Sequence, residues 1–417
     1  MLRIDFRALV LVVLMAANVA VADDWPQWLG PQRDGLSRET GLLQSWPDGG
    51  PKRLWLFDNC GVGYAGPAIV DGRMYLLGGR DGVCQLLALN ANTGEELWSL
   101  DLGPLYENDW GDGPRATPTV ENGLIYVMGA KGALVCVRAS DGREIWRTDL
   151  QADLAGTEPK WGYSESVLID GDLLLCTPGG SQGAIVALEK STGQVRWRAT
   201  ELDDEAHYSS IMRGEFHGRP QYVQLLVSRL VGIAPNDGRL LWQVDWPGRV
   251  AVIPTPILHD GKVFATSGYG IGCMLVEVGP DDSATQLYDD EAKKLMKNHH
   301  GGVVLVGDHL YGHSDGVGWV CMEFATGKQV WREREALGKG AIAYADGKLY
   351  LLSEDEGEVV LIDASPNGWQ ERGRFTLDPQ TQIRKDRGKI WVHPVISNGK
   401  LYLRDQDLLY CYDVKAE

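Results

Sequence analysis

One phrase of apolar and polar positions recurs along the chain. An extended run meets a D-G or N-G turn. A second run, a polar glycine-containing turn and a third run follow. A T-G or D-G turn then leads into a run that ends in Trp. The first turn appears as Asp71-Gly72, Asn122-Gly123, Asp170-Gly171, His217-Gly218, Asp260-Gly261, Gly307-Asp308, Asp346-Gly347 and Asn398-Gly399. Asn-Gly and Asp-Gly adopt positive φ at low cost and close two-residue hairpins. Three residues beyond it comes an aromatic, at Tyr75, Tyr126, Phe264, Tyr311, Tyr350 and Tyr402. The later turn appears at Thr93-Gly94, Asp141-Gly142, Thr192-Gly193, Asp237-Gly238 and Thr326-Gly327, and Trp98, Trp146, Trp197, Trp242 and Trp331 follow it. Tyr288 and Phe375 are degenerate versions of that Trp, and Trp55 opens the series. The period is roughly 45 residues, which is that of a repeat architecture.

Three hairpin turns per unit imply four antiparallel strands, and four-stranded sheets repeated radially are the blades of a propeller. The pattern predicts an all-β fold, an eight-bladed β-propeller over 52–414. The last unit has runs at 392–397, 400–404 and 408–414 and no Trp-bearing outer strand, whereas 53–57 is an orphan run at the start. The orphan is predicted to complete the eighth blade beside Cys411, which removes an exposed edge. The Pro/Gly/Trp-rich stretch 23–51 is expected as an N-terminal extension packing on the side or base of the ring.

Length and charge narrow the reading further. A chain of 417 residues is too long for one ordinary compact core, and 44% apolar with 23% charged residues is a folded composition. A net charge of −17 without a basic run excludes the electrostatic footprint of nucleic-acid binding. Residues 1–22 have a basic start (Arg3, Arg7), an apolar run and Ala20-Val21-Ala22, the pattern of a cleaved signal peptide. The apolar run is too short for a membrane span, and no Cys follows the cleavage site to carry a lipid anchor. A periplasmic or secreted protein, monomeric, is expected. Seven Cys include no C-x-x-C and no adjacent pair. Cys136 and Cys321 share their position with Ala88, Ala187 and Gly232, six residues before the late-turn glycine, and Cys411 is placed there too. These are small apolar packing residues at contacts between blades. The state of Cys60, Cys84, Cys176 and Cys273 is left open.

The stretches Ala88 to Trp98 and Ala187 to Trp197, A-x-x-x-x-T-G-x-x-x-W, resemble the tryptophan-docking repeat of the pyrroloquinoline quinone (PQQ)-like propellers. That superfamily includes the quinoprotein alcohol dehydrogenases and the scaffold of the outer-membrane β-barrel assembly machinery. The stretch 25–35, W-P-Q-W-L-G-P-Q-R-D-G, looks like the opening of many exported bacterial members. The likeness covers nearly all of the chain beyond residue 22. Its motifs specify the fold; function has to be argued from the site.

In a propeller the innermost strands line a central channel. The D-G and T-G turns occupy one face and are short and alike. The links between blades open on the other face, and they are long and irregular, as functional loops are. The residues just before each inner strand include Tyr64, Arg115, Tyr163-Ser164-Glu165, His207-Tyr208-Ser209, Asn298, His299, His300, Lys339, Trp391 and His393, with Trp161 nearby. Repeat logic places them at one channel mouth, where cations, imidazoles and aromatic rings would converge. Arg115, Trp161, Glu165, His207, Asn298, His299, His300, Lys339, Trp391 and His393 are therefore the candidate ligand-binding set. His207, His299 or His300 and His393 with Glu165 are residues of metal-ligating type; no metal site is assigned to them, because spacing alone does not define one. Glu354-Asp355-Glu356 reads as a solvated turn.

Two classes of function follow. The leading one is a non-catalytic binding or scaffold module holding a small molecule, a polymer or a partner protein at the mouth. The other is a PQQ-dependent alcohol or polyol dehydrogenase. The resemblance implies for it a quinone stacked on Trp161 or Trp391, with Ca²⁺ held by Glu165 and Asn298 and an Asp as base. The adjacent-Cys pair that the dehydrogenases place over the quinone is absent, and no catalytic Asp is assigned by motif.

Overall fold

The computed structural model describes residues 24–416; the expected signal peptide lies outside them. The described residues form eight antiparallel sheets of four strands each. Seven are built in chain order; the first, for example, takes Ala68–Val70, Arg73–Arg80, Val83–Asn90 and Glu96–Pro104. The eighth takes Val395–Ser397, Lys400–Asp405 and Leu408–Asp413 and is completed by Arg53–Phe57. Trp55 pairs with Cys411 there, as the orphan run required. We number the blades 1 to 8 by this order.

The first turns take the conformation their residues favour, with φ of +50° at Asn122 and +75° at Gly123. One turn differs from expectation. In blade 3 Asp170 ends the strand Leu168–Asp170 and pairs with Leu173, so the turn is Gly171-Asp172.

The apolar residues collect in eight clusters, one at each seam between neighbouring blades. Cys136 and Trp146 of blade 2 pack with Leu174 and Leu188 of blade 3, for example. This is why the middle strands are apolar on both faces: each is covered by a blade on either side. The small residues at the shared position lie directly opposite the Trp of their own blade: Ala88 faces Trp98, Cys136 faces Trp146, Ala187 faces Trp197 and Cys321 faces Trp331. A larger side chain there would displace the ring.

Each repeat Trp reaches the late turn of the next blade. A Cβ on Gly193 would lie 2.7 Å from the Trp146 ring, and the Trp146 indole N–H donates to Lys190 O at 2.9 Å. Trp197 and Trp331 donate in the same way to Pro235 O and Ser365 O. Trp242 departs from the rule. The sequence of blade 5 offers no T-G turn, and Trp242 folds over Gly232 of its own blade, with its N–H on Gln221 Oε1 at 2.7 Å. All seven Cys are buried free thiols.

The segment before the ring runs across the end of the channel on the D-G turn side. Trp25 bridges to Ile69, Val120 N–H donates to Pro26 O, and Leu36 bridges to Tyr344. Arg33, only 4% exposed, donates to Ser166 O and Val167 O at 2.7 and 3.1 Å. Blades 1, 2, 3 and 7 are thereby tied together by one short stretch of chain.

Candidate functional site

At the opposite end of the channel lies a cavity of about 350 Å³. The residues preceding the inner strands line it in seven of the eight blades: Tyr64, Arg115, Trp161 with Ser164 and Ser166, Tyr208 with Ser210, Ile253, His299 with His300, and Trp391 with His393. The cause is positional equivalence. Each inner strand begins at the same height, so the residues just ahead of it face the axis. Trp110, Lys160 and Val250 add a rim from longer links, and Tyr269 adds to it from the turn between Lys262–Ser267 and Gly272–Val278 of blade 5.

Six of the ten expected site residues line this cavity: Arg115, Trp161, His299, His300, Trp391 and His393. Four do not. Glu165 is 2% exposed and turned into the wall, where it accepts from Thr177 N–H at 2.6 Å and from the Thr177 hydroxyl at 3.1 Å. Burial pushes its carboxyl up to about 7, despite Thr177 and the nearby Arg33. His207 accepts Val252 N–H on Nδ1 at 3.1 Å, so it positions the 250–253 link and does not face the mouth. Asn298 donates to Gly302 O and His313 O at 2.8 and 3.0 Å. Lys339 stands behind His299, 2.8 Å from its Nδ1 and 2.8 Å from Asp315.

Trp28 forms part of the lining and was not anticipated. It belongs to the N-terminal segment, donates to Thr255 Oγ1 at 3.0 Å and sets its edge against His393, centroids 4.8 Å apart. A Trp outside the repeat has no docking turn to fill, and that was the available signal.

The imidazoles are held neutral. Lys339 can only donate, so His299 Nδ1 accepts and Nε2–H donates to the Tyr269 oxygen at 2.8 Å. Burial and then Lys339 depress the basicity of His299. His393 Nε2–H donates to His300 O at 2.8 Å, and burial lowers His393 to about 4. Burial, then His299 and Lys339, hold His300 well below its ordinary value. The His300 ring stacks on Trp391, with centroids 4.4 Å apart and planes 22° apart. Tyr64 leans on Trp391 as well, at 5.0 Å. Two rim residues carry backbone strain: Tyr269 at φ +57° and Val250 at φ +44°, conformations that side chains of this size avoid.

A calcium-bound quinone needs a free indole face and several oxygen donors beside it. Glu165 is turned into the wall on Thr177, Asn298 does not line the cavity, and His300 and Tyr64 crowd Trp391. Lys160 sits over Trp161 at 4.9 Å. Among the described residues no carboxylate lines the cavity, and no group of three His, Cys, Asp or Glu could hold a metal. These residues do not fit that cofactor.

Comparison with known proteins agrees with the fold. Among curated relatives, the outer membrane protein assembly factor BamB of Yersinia pestis is 24% identical over 201 residues, 44% of this chain and 47% of that protein. The chain thus spans about half the length of that relative. Among solved structures, BamB from Moraxella catarrhalis superposes with TM-score 0.62 at 12% identity, over 87% of this chain and 99% of that one. Quinohemoprotein alcohol dehydrogenase from Comamonas testosteroni gives 0.63 at 12% identity, over 96% and 82%. At such identities these structures share the fold alone. The family model described as outer membrane protein assembly factor BamB matches residues 84–333, more than half of the sequence, and the chain belongs to that PQQ-repeat family of propellers.

Proposed function

We propose that this chain is an exported, non-catalytic binding module that holds its ligand in the channel mouth. The observation that carries the reading is the cavity itself. It is walled by aromatic rings and neutral imidazoles, Trp28 forms part of its lining, and among the described residues no carboxylate faces it to serve as base or metal ligand. Export rests on the basic, apolar and A-x-A pattern of the first 22 residues and fits the assembly-factor relatives. The mouth of such a module takes a small molecule, a polymer end or a segment of a partner protein.

The test is a titration of the purified protein with PQQ and Ca²⁺, read by quinone absorbance and by alcohol-dependent dye reduction. We expect no stoichiometric quinone binding and no turnover. Dye reduction with any alcohol would replace this reading by that of a dehydrogenase.

A further inference from the structure

The acidic chain places unpaired cations at this mouth. Arg115 donates to Gly111 O and Gly113 O and lies over the rings of Tyr64 and Tyr106, at 5.4 and 4.9 Å, with no carboxylate in contact. Two carbonyl bonds leave three of its five N–H donors unmatched. Lys160 lies over Trp161 at 4.9 Å and Arg387 over Trp110 at 5.5 Å. Among the described residues, none of Arg115, Lys160 and Arg387 forms a salt bridge, although the chain carries 57 Asp and Glu. The neighbouring cations Arg384, Lys385 and Lys389 are each paired with an Asp. Arg115 and Lys160 line the cavity without a salt bridge to offset them, and among the described residues no acid lines it, so the local field there favours an anion.

The other wall groups say what carries the charge. The rings of Tyr64, Trp110 and Trp161 hold the cations, so a ligand that reaches the cations lies against rings. Ser166 and Ser210 each accept a backbone N–H, from Thr117 and from Ser166, which turns their hydroxyl protons toward other acceptors. Resting on the channel-mouth reading above, we propose that the cavity is an anion-selecting aromatic cage for a single ring bearing a carboxylate, met by Arg115 and the serine hydroxyls. The volume suits one ring and its substituents. A sugar acid and a benzoate share this chemistry: C–H or π faces on aromatic walls, with a carboxylate on a guanidinium.

The test titrates the full chain with glucuronate and glucose, with benzoate and benzyl alcohol, and with acetate. It is read by the fluorescence of the mouth tryptophans and by calorimetry. At least one ring acid is expected to bind about tenfold or more tighter than its neutral parent and than acetate, and the stronger pair names the source. Arg115→Gln should abolish the preference. Lys160→Gln, at an exposed position that cannot compromise folding, should reduce it and weaken its salt dependence. Neutral parents binding as well as the acids, acetate matching them, or no acid binding at millimolar concentration would overturn the proposal. A neutral ligand whose binding is lost in Trp161→Ala would leave the mouth as the site and remove only the anion selection. Binding that neither Arg115→Gln nor Trp161→Ala alters would remove both.

Discussion

Replacing Glu165 by Gln should make the protein more stable at neutral pH. This carboxyl is 2% exposed, and its value rises from 4.5 to about 7 because burial outweighs Thr177 and Arg33. A folded-state value above the unfolded one means that the native state holds the proton more tightly. The resulting stability is present in full below about pH 4.5 and is lost as pH rises through about 7. A shift from 4.5 to about 7 corresponds to about 3 kcal/mol. The amide keeps an acceptor for Thr177 N–H and has no charge to desolvate. The raw pH curve of the wild type does not isolate this effect. Burial lowers His393 and His313 to about 4, and such depressed imidazoles lose stability as pH falls from 6.5 toward 4, the opposite slope in an overlapping window. The difference between variant and wild type removes them. Guanidinium denaturation at half-unit steps from pH 4 to 8 should show Glu165→Gln gaining about 3 kcal/mol on the wild type across the series. A difference that is flat with pH, or that runs the other way, would refute the account of a charged carboxylate trapped in the wall.

Trp146→Ala should cost about 3–5 kcal/mol by emptying a seam, whereas Trp110→Ala, at a ring 44% exposed on the rim, should change stability by less than about 0.5 kcal/mol; paired denaturant melts compare them. Gly193→Ala drives a methyl to 2.7 Å from the Trp146 ring at φ +73°, and a loss of about 2 kcal/mol is expected in the same assay. A native protein should resist a thiol reagent that labels all seven Cys once unfolded, since burial pushes Cys60 to about 11 and Cys84 to about 12; mass spectrometry counts the labels. Arg33→Met removes the bonds to Ser166 O and Val167 O, and hydrogen exchange should rise across residues 25–37 before it rises in the blades.

The blade count, the closure of the ring by Trp55 beside Cys411 and the docking tryptophans were legible in the sequence, because each is a local chemical demand repeated at a fixed interval. A D-G turn needs positive φ, a strand sandwiched between blades needs apolar residues on both faces, and a Trp needs a glycine to rest on. The same repeat logic located Arg115, Trp161, His299, His300, Trp391 and His393, since equivalent positions share one height on the axis. It could not say which way each side chain turns. Glu165 and Asn298 stand among the same pre-strand residues yet do not line the cavity: Glu165 accepts from Thr177, and the Asn298 amide donates to the Gly302 carbonyl. His207 spends its ring on Val252, and Lys339 reaches the mouth only through His299. Those choices depend on hydrogen-bond partners supplied by distant parts of the chain. Trp28 lay outside the repeat altogether, and only the path of its segment across the channel brings it beneath the cavity. Short-range rules applied eight times set the architecture and the height of the site; which side chains face it was left to the packing, because a buried polar group takes whichever partner lies within its reach.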